Sequence, residues 1–215
     1  ERDTTRKVIK ICYTRLMDRI IEYKFYHWGP FLYSTSLQPI ELIKIKNLCS
    51  KNKKKDYRKN LAGLVKHEYQ IDEKKLFPII SPYIQSYTKA YLDHRNEPLE
   101  NKVKLEAAWV NYITKFESNP LHKHSSDLSF VIYTKIAKEL KKEIKDTVSN
   151  SRPGSINFVN TLGNKKYTIN QHTFTPEVGD IFIFPASLHH SVNHFQSEGE
   201  RVSVSGNLKI DYENK

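Results

Sequence analysis

The spacing of apolar residues changes near residue 105, and this change divides the chain into two parts. Upstream, apolar residues recur every three or four positions over 73–95, which predicts one long amphipathic helix, although Pro78 and Pro82 should delay its start or kink it. From Leu105 to Ile113 the interval becomes two residues, as in a β-strand. The first part is therefore predicted to be mostly helical and the second to be built of strands.

Short strand-like segments separated by turn signals continue to the end of the chain. They cover 128–134, 155–160, 166–170, 180–184, 190–194 and 201–210. Such a series is typical of an all-β sandwich or barrel. Two further helices are predicted. One covers 40–48 and is preceded by Pro39, and the other is a lysine-rich helix at 135–147, which we interpret as a surface insertion. We expect one α+β domain with a mainly β core, in which 1–104 supports a core formed by 105–215.

Composition excludes several classes of protein. Aromatic residues make up 12% of the 215 residues, which argues against a disordered chain, and 7 glycines exclude a collagen-like one. No apolar run approaches the roughly 18 residues of a membrane helix, so no membrane partner is expected. Cys12 and Cys49 are too few for a disulfide framework and suit a reducing compartment. We expect a cytoplasmic protein. Its oligomeric state stays open, with a homodimer among the alternatives.

The formal net charge of +11 favours an anionic partner. Nine Lys and Arg residues lie between Lys44 and Lys66, against a single acid, Asp56. This segment is either a solvated surface or a docking patch for nucleic acid or an acidic protein. Both interpretations stay open at this point.

The histidines are concentrated in two places. His122 and His124 form a His-x-His pair, and alternate residues of a strand point to the same side, so both imidazoles can meet one ion. His189, His190 and His194 lie near the other end of the β region, where a third imidazole can complete the set. Imidazole suits Zn, Cu, Fe and Ni, so these residues alone do not choose the metal.

A strand with a polar face begins at Arg201, and ten residues separate it from His190. Arg201, Ser203, Ser205 and Asn207 alternate with apolar residues and Gly206. A polar face in a β core indicates a wet pocket. The guanidinium fork matches a carboxylate, and a serine adds a hydroxyl donor. A metal with an inward Arg–Ser pair suits a small dicarboxylate whose keto acid end chelates the metal.

Five blocks together carry a family resemblance. They are 119–124 (NPLHKH), 128–133 (LSFVIY), 179–185 (GDIFIFP), 188–192 (LHHSV) and 201–207 (RVSVSGN). In this order they resemble the 2-oxoglutarate/Fe(II)-dependent oxygenases of marine bacteria and their phages, which have the double-stranded β-helix (jelly-roll) fold. The resemblance covers about half of the chain, and 61–63 and 67–69 also look like the helical region of the phage members.

The resemblance implies a role for each matching residue. His122 is the first metal ligand and His190 the distal one, while His189 should point to the opposite face. Arg201, assisted by Ser203, binds the far carboxylate of 2-oxoglutarate. The remaining pocket residues are Tyr133 and Asn111.

Two positions depart from the wider superfamily, in which two histidines and one carboxylate hold the metal. His124 stands where the carboxylate is usual, so the third ligand is His124 or Asp127, or the metal has only two protein ligands. Strand alternation favours His124, and a neutral ligand leaves the site one unit more positive. Phe130 stands where many relatives have glycine and is expected to narrow the pocket.

The implied activity is hydroxylation of an unidentified substrate with Fe(II), 2-oxoglutarate and O₂, releasing succinate and CO₂. The substrate is an anion such as nucleic acid, a nucleotide or an acidic protein, or a protein side chain or small amine. Two alternatives are a catalytically inactive jelly-roll structural or binding module of a phage, and a cupin-like metal enzyme that does not use 2-oxoglutarate.

Overall fold

The computed structural model describes residues 11–16, 19–24, 29–49, 55–95, 102–148, 152–160 and 170–211. The helices are Pro39–Leu48 (α1), Glu73–Arg95 (α2) and Lys138–Asp146 (α3). The strands are Ile11–Leu16 (β1), Arg19–Lys24 (β2), Tyr33–Ser36 (β3), His67–Gln70 (β4), Lys102–Ile113 (β5), Asn119–His122 (β6), Leu128–Ile136 (β7), Ile156–Val159 (β8), Gln171–Phe174 (β9), Asp180–Pro185 (β10), His189–Val192 (β11) and Arg201–Asp211 (β12).

Two antiparallel sheets form the body of the molecule. The larger has six strands in the order β3-β10-β7-β12-β5-β4, and the smaller has four in the order β6-β11-β8-β9. Strands β1 and β2 pair separately with each other. The long central partners β5 and β12 are paired along almost their whole length, from Arg201 opposite Ile113 to Asp211 opposite Lys102. The strands predicted at 105–113 and 201–210 are thus confirmed, and their pairing at the centre of the larger sheet is new information from the structure.

The two faces of β7 bury different parts of the core. Phe130 and Ile132 pack into a cluster with α1 and α2, which includes Ile45, Leu76 and Ile80. The intervening residues Val131 and Tyr133 pack with aromatic and aliphatic residues of the smaller sheet and of β10. Because successive side chains of a strand point to opposite faces, this one strand separates a helix-covered layer from the space between the sheets.

Helix α2 begins at Glu73 and continues through both prolines, so the expected delay of its start is wrong. The side chain of Asp72 caps the first turn by accepting hydrogen bonds from the backbone N–H groups of Lys74 (3.1 Å) and Lys75 (3.4 Å). Pro82 cannot donate to the carbonyl of Pro78, and the hydroxyl of Ser81 donates to that carbonyl instead (3.5 Å). The predicted helix at 40–48 is confirmed, with Pro39 in its first turn.

The segment 67–69 is a strand, so its likeness to a helical region is wrong. Strand β4 pairs with β5 and forms one edge of the larger sheet, while β3 pairs with β10 at the other edge. The part of the chain before residue 105 therefore supplies both edges of the sheet as well as two helices. Most of the predicted strand 166–170, and residues 51–54 of the basic segment, lie outside the described residues.

The lysine-rich helix is present as α3 and is shorter than predicted. Its buried Leu140 packs with Ile113 and Phe195 beside the larger sheet, while its lysines are exposed. Across the residues that the structure describes, none of the helices has the length and apolar character needed to cross a membrane.

Candidate metal centre and its cavity

Three imidazoles meet at the edge of the smaller sheet. His122 on β6 lies directly opposite His190 on β11, and their ring centroids are 4.3 Å apart. His124, two residues beyond His122, brings its ring to 5.1 Å from His122 and 5.2 Å from His190. One ring nitrogen from each residue lies within 4.8 Å of the other two. This spacing lets all three nitrogens reach one metal ion.

Backbone carbonyls fix the tautomers of two of these rings. Nδ1 of His122 is 2.7 Å from the carbonyl oxygen of Pro120, and Nδ1 of His190 is 3.0 Å from that of Leu188. A carbonyl only accepts, so Nδ1 carries the proton in both rings and the Nε2 lone pair is available to a metal. His124 is positioned by its backbone N–H, which donates to Ala186 (2.9 Å), and its ring contacts Trp109.

Burial keeps the three histidines neutral. It lowers the pKa of His122, and it lowers the pKa of His124 to about 4 and that of His190 to about 3. The proximity of the other imidazoles adds to the effect, because two neighbouring cations would repel each other. The set is therefore deprotonated at neutral pH, as metal ligation requires.

Neither Asp127 nor His189 joins this group. The carboxylate of Asp127 accepts a hydrogen bond from the backbone N–H of Ile210 (2.8 Å) and forms an ion pair with Lys209 (3.1 Å). His189 is half-buried and does not line the cavity described next. Of the alternatives open at the third position, the structure brings His124 to the other two histidines.

The histidines line a cavity of about 150 Å³ between the two sheets. All seven residues singled out in the sequence contribute to its wall: His122, His124, His190, Arg201, Ser203, Tyr133 and Asn111. The ligand-like nitrogens come from the smaller sheet and its flanking loop, and the other polar groups come from the larger sheet. The polar face of β12 thus faces the same space as the imidazoles.

Arg201 is a buried cation that no carboxylate of the described residues pairs with. Its side chain is 1% exposed, and Nε and Nη2 have no hydrogen-bond partner among the described residues. The guanidinium lies 4.6 Å from the ring centroid of Tyr133, whose hydroxyl also lacks a partner in that part of the chain. Burial lowers the pKa of Arg201 and raises that of Tyr133. Three unsatisfied donors side by side indicate that an anion belongs here.

Ser203 and Asn111 connect this region to the sheet edge. The amide of Asn111 donates to the hydroxyls of Ser203 and Ser205, at 3.4 Å each. Tyr133 lies opposite Ser203, Ser203 opposite Asn111, and Asn111 opposite Glu68. These four side chains form one polar row across the larger sheet, because directly paired residues share a face.

Glu68 is a cavity residue that sequence reasoning missed. Its side chain is 1% exposed, and burial, followed by the charge of Glu117, raises its pKa to about 7. The available signal was a single carboxylate in a four-residue segment, which is too short to show alternation. Only the pairing of β4 with β5 places it against the cavity.

Phe130 packs mainly on the helix-covered side, although it also touches the cavity wall. Its ring lies against Gly206 on β12, and a Cβ at residue 206 would be 2.6 Å from the nearest ring atom. The expected narrowing of the pocket by Phe130 is thus largely avoided, because the missing side chain of Gly206 makes room for the ring.

Residues 107–207 match the model of a family described as "Putative 2OG-Fe(II) oxygenase", in which 2OG stands for 2-oxoglutarate. This segment contains the three histidines and Arg201. Comparison with curated proteins gives no match. The association with marine bacteria and phages stays a prediction.

Solved structures of similar fold have low sequence identity to this chain. A 2OG-Fe(II) oxygenase family oxidoreductase from Burkholderia pseudomallei has a TM-score of 0.55 at 12% identity, over 83% of this chain and 85% of that one. A prolyl-4-hydroxylase from Pseudomonas putida has 0.53 at 13%, over 84% and 92%. HygX from Streptomyces hygroscopicus, with nickel and 2-oxoglutarate bound, has 0.54 at 11%, over 84% and 83%.

These two kinds of likeness support different statements. At such low identity the solved structures bear on the fold, and they agree with the two antiparallel sheets described above. The chain has the double-stranded β-helix fold, and residues 107–207 are similar to the 2OG-Fe(II) oxygenase family, whose cofactors are Fe(II) and 2-oxoglutarate.

Proposed function

We propose that this protein is a 2-oxoglutarate- and Fe(II)-dependent dioxygenase that hydroxylates a substrate still to be identified and releases succinate and CO₂. One observation carries the proposal. A single small cavity contains three neutral imidazoles that converge on one point and a buried arginine for which the described residues provide no counterion. A metal ion and a carboxylate are the two groups that would satisfy these residues.

His122, His124 and His190 would hold the iron. The carbonyls of Pro120 and Leu188 keep two of the rings oriented with Nε2 available, so little reorganisation is needed when the ion binds. All three ligands are neutral, and Asp127 is engaged by Lys209. The ion would therefore keep its full double charge, which favours anionic ligands at its remaining positions.

Arg201 would bind the far carboxylate of 2-oxoglutarate. The guanidinium offers two parallel donors, and Tyr133 and Ser203, whose hydroxyls belong to the polar row, line the same cavity. Asn111 holds the Ser203 hydroxyl through its amide. Because the guanidinium is shielded from water, its pairing with a carboxylate is stronger than at a surface.

When bound, Fe(II) and 2-oxoglutarate supply the oxidative chemistry, in which O₂ is consumed and a C–H bond is hydroxylated. The protein's contribution is to bind, orient and exclude water. The three neutral imidazoles fit this role, because they hold the ion without taking part in proton transfer. A cupin-like metal enzyme without 2-oxoglutarate would leave the buried Arg201 without a role, and an inactive module would have no need for a pre-oriented metal site.

Anaerobic titration tests the proposal. Fe(II) followed by 2-oxoglutarate should produce a weak visible charge-transfer band, and succinate should be released in air with a suitable member of a panel of nucleotides, amino acids and peptides. No band with iron bound would contradict the cosubstrate assignment. A band without succinate from any panel member would favour the binding-module alternative.

The net charge and the basic segment bear on the surroundings of the site. Lys55, Arg58 and Lys59 are exposed close to Asn60 and Gly63, which line the cavity. We propose that this surface attracts an anionic region of the substrate, such as a nucleic acid or an acidic protein. Affinity of the protein for an anionic substrate that falls steeply as the salt concentration rises would support this role. Affinity that does not change with salt would contradict it.

A further inference from the structure

Glu68 leaves a carboxylate unsatisfied at one end of the cavity. Both of its oxygens are buried without a hydrogen-bond partner in the described part of the chain. Buried carboxylates are normally paired or hydrogen-bonded, because removing the charge from water is costly. A donor group is therefore missing at this position.

Other acceptor oxygens converge on the same place. A Cβ on Gly63 would lie 2.9 Å from Oε1 of Glu68 and 2.3 Å from Oδ1 of Asn119, so both oxygens adjoin the backbone of residue 63. The Oδ1 atoms of Asn119 and Asn111 also have no partner among the described residues. Glu68 thus lies in a group of acceptors, which we call the acceptor end: Glu68, Asn111 and Asn119.

The described residues provide no cation for the acceptor end. Arg58 lowers the pKa of Glu68, but its exposed guanidinium is held by Asp56 through Nε (3.0 Å) and Nη2 (2.5 Å). Lys123 also lines the cavity, yet it is exposed and forms no ion pair with Glu68 within the described ranges. Glu117 is a second carboxylate, and its negative charge raises the pKa of Glu68 further.

The acceptor end is separate from the opposite, donor end of the cavity, by which we mean Arg201, Tyr133 and Ser203. Glu68 on β4 and Ser203 on β12 are two strands apart in one row, or about 10 Å at ordinary strand spacing. A carboxylate bound at Arg201 would be repelled by Glu68. If 2-oxoglutarate takes the donor end, the acceptor end remains for a different molecule.

We propose that Glu68 binds a cationic nitrogen, a protonated amine or a guanidinium, on the part of the primary substrate that enters the cavity. This inference rests on the proposed function, which assigns the donor end to 2-oxoglutarate. The inference concerns only the part of the substrate that lies inside the cavity. The exposed lysines nearby act on the rest of the substrate and are screened by salt, whereas Glu68 acts at close range in a shielded site.

Matched probes test the proposal on the anaerobic complex with Fe(II) and 2-oxoglutarate, by calorimetric titration and by perturbation of the visible band. The pairs are butylamine with butanol and butylguanidine with butylurea, so that only one member of each pair carries a cationic nitrogen. At least one amine or guanidine should bind about tenfold more tightly than its neutral partner, because a charge-assisted hydrogen bond is made only by the cation.

Glu68→Gln should remove that preference and should not weaken 2-oxoglutarate binding, since it removes a negative charge from the cavity. Glu177→Gln makes the same change in charge at an exposed residue outside the cavity and should keep the preference. The visible band in each variant shows that the site is intact. A normal band with equal binding of charged and neutral probes, or an unchanged preference in Glu68→Gln, would overturn this inference alone. Absence of the band in the wild-type protein would instead overturn the proposed function.

Discussion

His122 and His190 are cross-strand partners that are oriented in the same way. Each donates its Nδ1 proton to the carbonyl of the residue two positions earlier, Pro120 in one case and Leu188 in the other. Direct pairing of the two residues across β6 and β11 then brings their free Nε2 atoms to the same side. Sheet pairing therefore sets the positions of two of the three ligands, and His124 reaches them from the loop that follows β6.

Removing one imidazole of this pair should abolish tight metal binding. His190→Ala leaves two nitrogens. Since loss of an outer-shell partner alone costs about 10- to 100-fold in metal affinity, we expect loss of a ligand to lower Fe(II) affinity by about 100-fold or more. Anaerobic metal titration measures the change. His189→Ala is the control, because that neighbouring side chain does not line the cavity. Equal Fe(II) affinity in the wild-type protein and His190→Ala would contradict the assigned ligand set.

Arg201→Ala should weaken 2-oxoglutarate binding while iron still binds. The guanidinium makes charge-assisted hydrogen bonds in a buried site, each worth about 1.5–3 kcal/mol, so we expect affinity to fall by roughly 10- to 100-fold or more. Titration of the visible band with 2-oxoglutarate gives the value. Arg201→Lys keeps the positive charge but loses the paired donors of the guanidinium, so its 2-oxoglutarate affinity should lie between those of the wild-type protein and Arg201→Ala.

Arg58→Ala is the matched control for this experiment. It removes a guanidinium that is exposed and paired with Asp56 outside the cavity. We expect its 2-oxoglutarate affinity to equal that of the wild-type protein. If Arg201→Ala behaved in the same way, the carboxylate site would have to lie elsewhere.

The local pattern predicted the parts of this fold that repeat over many residues. The three- and four-residue spacing of apolar residues in α2 and the polar face of β12 each extend over enough positions to be recognised in the sequence. The prolines of α2 suggested a delayed start, which the structure does not have. The side chain of Asp72 accepts a hydrogen bond from a backbone N–H of the first turn, and the hydroxyl of Ser81 donates to the carbonyl that Pro82 leaves unpaired. Apolar spacing alone does not reveal such contacts.

Short edge strands and the residues they carry were beyond local inference. Strand β4 has four residues, and its position depends on pairing with β5, which begins more than thirty residues later. Glu68 faces the cavity only through that pairing. His122, His124 and Arg201 could be singled out in advance, because each belongs to a strand-like repeat or to a motif.

The buried carboxylate of Glu68 should make the metal-free protein less stable as pH rises. Its pKa is about 7 in the folded protein and ordinarily 4.5, so between these values the folded state holds a proton that the unfolded state has released. Its stabilising contribution is complete below pH 4.5 and is lost as pH rises through 7. Glu68→Gln does not titrate, and its stability relative to the wild-type protein should rise over this window by at most about 3 kcal/mol.

Chemical denaturation at pH 5, 6, 7 and 8 measures this difference without metal or cosubstrate. Glu177→Gln should give a curve parallel to that of the wild-type protein, because its exposed side chain is solvated in both states. A Glu68→Gln curve that is also parallel to the wild-type curve would show that the carboxylate is not desolvated.

Gly206→Ala should destabilise the larger sheet. The added methyl group would lie 2.6 Å from both the carbonyl oxygen of Ala107 and the ring of Phe130, which belong to strands on either side of β12. Overpacking of this kind costs about 1–3 kcal/mol, which denaturant unfolding can resolve. Ser205→Ala at the adjacent position adds no volume and faces the cavity, so it should cost less. A neutral Gly206→Ala would mean that Phe130 and the neighbouring backbone shift freely, which would also weaken the case for a rigid cavity wall.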